Sequence, residues 1–107
     1  MHAPARQGDP GIARLAERAA EAARLLKLLA NENRLLILCQ LVAGREMAVG
    51  DIAGAVGLSQ SALSQHLAKM REEGLVATRR EAQSVLYRIA DPDTRRVLAL
   101  LKSIYCP

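Results

Sequence analysis

The two cysteines, Cys39 and Cys106, are the side chains of this sequence best suited to covalent chemistry. A thiol reacts as its thiolate, so at least one of the two needs partial exposure or a lowered pKa. Cys39 lies in an apolar run from Leu35 to Leu41, where a free cysteine commonly packs as a small hydrophobic residue. Cys106 follows Tyr105 near the end of the sequence, where a packing role would be modest. The residues alone leave paired thiol chemistry and structural packing both open.

A second group of side chains is suited to contacting duplex DNA. Just after Ser59, a predicted helix presents Gln60, Ser61, Ser64 and Gln65 outward in its first two turns. Glutamine can bond adenine through two hydrogen bonds in the major groove, and serine can contact bases or phosphates. A helix N-terminus also offers free N–H groups to phosphates. Any surface helix has a solvated polar face, but the clustering of these residues at the helix start favours DNA contact.

Arginines on a predicted β-hairpin would add a cationic contact to flanking phosphates or the minor groove. Arg79, Arg80 and Arg88 fill this role, although hairpin arginines are as often merely solvated. Lys69 and Arg71, later in the helix, are expected to contact the DNA backbone or water rather than bases. The predicted DNA-binding residues are Ser59, Gln60, Ser61, Ser64, Gln65, His66, Lys69, Arg79, Arg80 and Arg88.

Helical periodicity predicts the elements that position these groups. Apolar residues recur at helical spacing from Ile12 to Leu29, which predicts a first helix. Asn31 is expected to cap a second helix that is apolar on all sides, and therefore central and buried, and that ends at Gly44. A short third helix covers residues 49–56. A turn at residues 57–58 leads into a fourth helix over residues 59–73, a helix-turn-helix pattern.

Alternating residues predict strands over residues 75–80 and 85–90, joined by a polar turn at residues 81–84. Asp91 and Pro92 form a strong start signal for a final helix. The sequence therefore predicts a mainly α fold with a β-hairpin wing, in the order α-α-α-α-β-β-α, which is a winged helix-turn-helix. Residues 1–10 are expected to form a disordered arm, and residues 11–107 the domain.

Composition narrows the class of partner. The 107 residues include 15 Lys and Arg against 11 Asp and Glu, a formal net charge of +4 that mildly favours a polyanion. Tyr87 and Tyr105 are the only aromatic residues, whereas single-stranded nucleic acid binders usually need several stacking platforms. No apolar run approaches the roughly 18 residues that span a bilayer, and no signal peptide is evident. A cytoplasmic location, no membrane partner and reduced cysteines are expected.

Three stretches, residues 28–35, 58–67 and 71–76, resemble the ArsR/SmtB family of bacterial repressors. The segment SQSALSQHL, residues 59–67, is the most specific, and the resemblance extends over about residues 12–106. The resemblance implies a winged-helix homodimer held together by the first and last helices. It also implies that the dimer binds double-stranded operator DNA until an inducer releases it.

Most members of that family sense metals, through cysteines on the third helix or through carboxylates and histidines on the last. Here the matching third-helix segment, residues 48–53, contains no cysteine, and the last helix contains no histidine. The two histidines of the chain are His2 and His66. The sequence therefore predicts no metal site and no other cofactor, although a metal site shared across the dimer stays open.

The placement of Cys39 in the second predicted helix and Cys106 at the end of the last resembles the persulfide-sensing branch of the family, the SqrR/BigR type. This resemblance implies a thiol switch, in which the two thiols react with sulfane sulfur and form a polysulfide bridge within one protomer, or a disulfide under oxidants. A disulfide needs Cα atoms within about 7 Å, and each added sulfur extends the bridge by about 2 Å. A pair held slightly too far apart would favour the polysulfide.

The function predicted from the sequence is a non-enzymatic DNA-binding repressor that releases its operator when Cys39 and Cys106 are bridged, with persulfides as inducers. One alternative is a repressor that responds to a metal or another ligand and has structural cysteines. A thiol enzyme would need a general base beside a cysteine, and His66 is already assigned to the DNA face. A winged helix that binds protein instead of DNA is a further alternative, which the salt dependence of duplex binding would distinguish.

Overall fold

The structure, a computed structural model, describes residues 9–106. The chain divides into two compact units, residues 9–30 and residues 31–106 as far as they are described. None of the helices in these residues is both long enough and apolar enough to cross a membrane.

The first unit contains two helices, α1 (Pro10–Glu17) and α2 (Ala19–Leu29), where the apolar periodicity predicts one. Arg18 separates them with φ −116° and ψ 18°, outside helical geometry. Its guanidinium pairs with Glu21 at 2.6 Å, in the first turn of α2, where a carboxylate is favourable near the helix N-terminus. The sequence offers no glycine or proline at this break, so periodicity could not reveal it.

Helix α1 begins within the segment predicted to be a disordered arm. The Asp9 side chain accepts a hydrogen bond from the Ile12 N–H at 3.1 Å, and Pro10 occupies the first turn. Residues 1–8 of the predicted arm lie outside the described residues.

The second unit is built from four helices and a small antiparallel sheet in the described residues. The elements are α3 (Glu32–Gly44), β1 (Met47–Ala48), α4 (Val49–Val56), α5 (Gln60–Glu72), β2 (Val76–Glu81), β3 (Ser84–Ile89) and α6 (Pro92–Tyr105). The strand order is β1-β3-β2, with Thr78 opposite Tyr87 and Met47 also opposite Tyr87. The predicted winged helix-turn-helix fold is confirmed. The two-residue strand β1 was not predicted, because two residues are too few to show an alternating pattern.

Local capping chemistry sets the ends of these helices where the sequence predicts them. The side chains of Asn31, Ser59 and Asp91 cap α3, α5 and α6, accepting hydrogen bonds from backbone N–H groups at 3.0, 3.1 and 3.1 Å. Helix α5 ends at Glu72 and is followed by Gly74, whose φ of +79° suits glycine. There the Leu75 N–H reaches back to the Met70 carbonyl at 2.9 Å, closing a Schellman motif.

Helix α3 lies at the centre of the second unit, as its uniformly apolar sequence predicts. It packs against α4, α6 and β3, and its Ile37, Leu38 and Leu41 are completely buried. The core is completed by apolar side chains from each of the other helices. These fully buried side chains are Ile52, Leu63, Leu67, Met70 and Leu98. Helix α5 is thus anchored by one face, which leaves its opposite face to solvent.

Candidate functional site

The outward face of α5 is accessible in the protomer. Gln60, Ser61, Ser64 and Gln65 are all exposed, whereas the inward Leu63 and its neighbours at helical spacing are fully buried. The predicted division of this helix into an apolar inner face and a polar outer face is therefore present in the structure. Short groups that donate and accept hydrogen bonds lie together at the start of an anchored helix.

The turn before α5 sets the direction of that helix. Gly57 ends α4 in the left-handed conformation, with φ +74° and ψ 27°. The exposed Ser59 uses its hydroxyl oxygen to accept the Ala62 N–H at 3.1 Å. Ser59 therefore caps α5, as the sequence predicts, and its DNA contact stays a prediction. At the other end of the helix, Glu73 bonds Arg34 of α3 at 3.3 Å, and both side chains are largely buried.

The remaining predicted residues of α5 differ in accessibility. Lys69 is exposed in the last turn of the helix, whereas His66 is half-buried. The imidazole therefore presents only part of its surface to any partner of this face.

The three wing arginines lie in different surroundings. Arg79 is bound to both carboxylate oxygens of Glu46, at 2.7 and 2.8 Å, and lies 3.6 Å from Glu81. Arg80 and Arg88 are exposed and make no ion pair within residues 9–106. Since cross-strand partners share a sheet face, the pairings Arg79–Leu86 and Ala77–Arg88 place Arg79 and Arg88 together. Arg80 lies on the opposite face.

Glu46, which sequence reasoning missed, is held beside the wing by a tight turn. Arg45 adopts φ +69° and ψ −68°, and the Glu46 N–H bonds the Gly44 carbonyl at 2.8 Å, forming a strained γ-turn. The hydrogen bond from Arg79 is the largest cause that lowers the pKa of Glu46, and the charge of Arg88 adds to it. Glu46 is therefore an anion that neutralises part of the cationic wing.

The two cysteines lie in one groove. Cys39, on α3, is half-buried, and Cys106, directly after α6, is exposed; both thiols are free. They line a groove of about 700 Å³ between α3 and α6, together with aliphatic side chains and Lys102. Among the aliphatic residues are Leu35, Leu36, Ala43 and Leu101.

Burial raises the pKa of the Cys39 thiol, and the nearby Cys106 raises it further, whereas the charge of Lys102 lowers it. The interaction with Cys106 means that a negative charge on one thiol is felt at the other. Lys102 was missed by sequence reasoning, although a signal existed: Lys102 and Cys106 are four residues apart, one helical turn. The structure shows this turn, because the Cys106 N–H bonds the Lys102 carbonyl at 2.8 Å.

Acidic and metal-binding side chains do not gather at this groove. Across residues 9–106, no group of three or more His, Cys, Asp or Glu residues is placed to hold a metal ion.

Large apolar side chains are exposed on several helices. In the first unit these are Ile12, Leu15 and Leu26, and in the second unit Leu36, Leu100, Ile104 and Tyr105. Side chains of this kind on the last helix leave an apolar surface that residues 9–106 do not cover.

Comparison with known proteins connects this architecture to a family. The family model described as "Bacterial regulatory protein, arsR family" matches residues 31–78, which include α4, the turn and α5. The transcriptional regulator YgaV of Escherichia coli is 45% identical over 96 residues, covering 90% of this chain and 97% of YgaV. This chain belongs to the ArsR family of bacterial transcriptional regulators.

Two further relatives of this ArsR-family chain have solved structures. The transcriptional activator HlyU of Vibrio cholerae is 44% identical over 104 residues, covering 96% of this chain and 95% of HlyU. The structure of reduced HlyU matches with a TM-score of 0.80 and covers 88% of this chain and 98% of that one. The transcriptional repressor BigR of Xylella fastidiosa matches with a TM-score of 0.81 at 36% identity, covering 90% of this chain and 97% of BigR.

Proposed function

We propose that this ArsR-family regulator is a repressor that binds duplex operator DNA and releases it when Cys39 and Cys106 become linked through sulfur. The observation that carries the proposal is the placement of two free thiols, one half-buried and one exposed, in a single groove. Both helices that form the groove belong to the unit that contains the helix-turn-helix.

DNA binding is assigned to the exposed face of α5 and to the wing. Gln60, Ser64 and Gln65 would read base edges, because each can both donate and accept in the major groove. Arg80 and Arg88 would bind phosphates, since they are exposed and carry no ion pair in the described part of the chain. Ser61, His66, Lys69 and Arg79 complete the proposed DNA-binding set, with Ser59 supporting the helix as its cap.

The active form is proposed to be a homodimer joined through the first and last helices. Support comes from apolar side chains on α6 that are exposed in the protomer, Leu100 at 59% and Ile104 at 55%. Covering such side chains is the usual reason for a small domain to dimerise. A twofold dimer would present two copies of α5 to successive major grooves, which requires a spacing of roughly 34–36 Å.

The bridge forms by sulfur transfer from a persulfide, R–S–SH. The exposed Cys106 thiolate attacks the terminal sulfur, a new S–S bond forms, the donor's S–S bond breaks, and R–S⁻ leaves. The same transfer to Cys39 gives a second persulfide. The Cys106 persulfide anion then attacks the inner sulfur of the Cys39 persulfide and expels HS⁻, leaving a trisulfide. No separate oxidant is required, because the donor's sulfane sulfur is reduced to sulfide.

The bridge would reach the DNA-binding face through α3. Helix α3 packs against both α4 and α6, and its Arg34 is paired with Glu73 next to the end of α5. Tying Cys106 to Cys39 fixes the end of α6 against α3 and so constrains the helices that set the spacing of the two α5 copies. Allosteric coupling is typically about 1–3 kcal/mol, which corresponds to roughly 5- to 150-fold weaker DNA binding.

Intact-mass analysis after treatment with a persulfide donor tests the proposed switch. Wild-type protein is expected to gain one or more sulfurs and lose two hydrogens, the signature of a closed polysulfide. Cys39→Ser and Cys106→Ser each retain one thiol and therefore cannot close the bridge. The switch proposal is wrong if wild-type protein remains unmodified, or if either single variant shows the closed mass within one chain.

A further inference from the structure

We propose that the groove between α3 and α6 is a binding site for organic persulfides that carry an apolar substituent, with Lys102 stabilising the thiolate R–S⁻ that leaves when sulfur is transferred. This inference rests on the proposed function and names the class of molecule that the groove admits. Both thiols line this groove, so a bound molecule would lie beside them.

The size and lining of the groove suit a small molecule with an apolar group. Its volume of about 700 Å³ falls within the range of small-molecule pockets, and most of its lining surface is apolar. Leu36 keeps 47% of its surface exposed and Tyr105 keeps 78%, so apolar surface is available beside the thiols. An alkyl group placed there would remove this surface from water, which is favourable for each buried methylene.

The groove also contains a positive charge close to the thiols. Among the described residues that line it, Lys102 is the one with a charged side chain. Its positive charge acts at Cys39, where it opposes the effect of burial on the thiol pKa. Sulfur transfer generates negative charge on the departing R–S⁻, and a nearby ammonium group stabilises such charge. Lys102 is therefore placed to assist the transfer while the apolar wall holds R.

Selectivity follows from these two features together. Lys102 can assist transfer from inorganic polysulfide and hydrophilic persulfides, but these donors gain no binding energy from the wall formed by Leu35, Leu36, Ala43 and Leu101. An alkyl persulfide benefits from the charge of Lys102 and from contact with the apolar wall. The groove should therefore raise the rate of transfer for apolar donors, and the effect should saturate as the groove fills.

The test compares the initial rate of sulfur transfer from hexyl persulfide and from 2-hydroxyethyl persulfide, followed by intact mass. Wild-type protein is expected to react about tenfold faster with the hexyl donor, roughly the effect of burying two methylene groups. Ala43→Leu, which fills the groove from the exposed Ala43, should remove this preference. Ala55→Leu makes the same change at an exposed position on α4, outside the groove, and should keep it.

Lys102 is tested in the same assay. Lys102→Gln should slow transfer from both donors several-fold, and Lys102→Arg should restore most of the rate because it retains the charge. Alkylation of Cys106 by iodoacetamide, which is small and neutral, should be similar in Lys102→Gln and wild type. This control distinguishes loss of the stabilising charge of Lys102 from a change in the accessibility of the Cys106 thiol.

The outcomes distinguish this inference from the proposed function. Equal rates for the two donors in wild type, or a hexyl preference that survives in Ala43→Leu, would overturn the groove proposal. If either donor still closes the bridge in that case, the proposed switch stands. Failure of both donors to modify the wild-type protein would overturn both proposals together.

Discussion

Cys39 and Cys106 share one groove but differ in their surroundings. Cys106 is exposed, whereas Cys39 is half-buried and its pKa is raised, chiefly by burial. The exposed thiol is thus suited to react with the donor first, and the half-buried thiol to close the bridge. This order assigns a separate role to each cysteine in the proposed switch.

The raised pKa predicts how the reactivity of Cys39 depends on pH. In Cys106→Ser, alkylation of Cys39 should be slow at neutral pH and should keep rising above about pH 8.5, the ordinary thiol value. The sign follows because burial disfavours the thiolate, so deprotonation needs a higher pH. Iodoacetamide kinetics from about pH 7 to about pH 10 measure the midpoint of this rise. The same profile in denatured and folded protein would contradict the account.

Glu46 holds Arg79 at 2.7 and 2.8 Å and, in the proposed DNA complex, would compete with phosphate for this guanidinium. Glu46→Gln should therefore bind duplex DNA about two- to tenfold more tightly at low salt, with a steeper salt dependence, because it frees a cation at the wing. Fluorescence anisotropy at several salt concentrations measures both quantities.

Glu17→Gln provides the matched control for that experiment. It makes the same change in net charge on α1, where Glu17 is exposed. A similar gain in both variants would indicate a general charge effect, and unchanged or weaker binding in Glu46→Gln would refute a competitive role for Glu46.

At the scale of the helices and strands, α5 depends on its cap for a defined start. Ser59→Ala removes the hydrogen bond to the Ala62 N–H and should lower the free energy of unfolding by about 0.5–2 kcal/mol. Ser61→Ala is the matched control, since Ser61 is exposed and lies two residues further along without a capping role. Denaturant unfolding followed by circular dichroism compares the two, and equal losses of stability would contradict the assignment of Ser59 as the cap.

Elements set by neighbouring residues could be predicted from the sequence. The caps at Asn31, Ser59 and Asp91 and the stop at Gly74 each depend on residues within one or two turns, so their signals are local. The same holds for the hairpin, whose strands differ from the predicted bounds by one residue at each end.

Features set by distant partners could not be predicted in this way. Strand β1 exists because Met47 and Ala48 pair with β3, far along the chain. The Glu46–Arg79 pair and the groove around Cys39 likewise join residues from separate elements. Charge and spacing identified the arginines and the cysteines, but only the fold revealed that Arg79 is engaged and that Lys102 accompanies the thiols.

The proposed dimer depends on an apolar surface of α6 that is exposed in the described part of the protomer. Ile104→Glu places a charge on that surface of α6, where the native side chain is 55% exposed. It should convert the dimer to a monomer without unfolding it, because little of the protomer core is disturbed. Sedimentation equilibrium measures the mass, and circular dichroism checks the fold.

Gln83→Glu adds the same charge at the exposed tip of the hairpin and should leave the dimer intact. A dimeric Ile104→Glu, or a wild-type protein that is monomeric at the concentrations tested, would contradict assembly through the last helix.

Comparing the affinities of reduced and bridged protein for one duplex tests whether a sulfur bridge between Cys39 and Cys106 releases DNA. The duplex is selected from a random pool by the reduced protein, and anisotropy is measured at fixed salt before and after persulfide treatment. Bridged wild type should bind roughly 5- to 150-fold more weakly, whereas treated Cys39→Ser and Cys106→Ser should retain their affinity. Bridged wild type that binds as tightly as the reduced form would contradict the account.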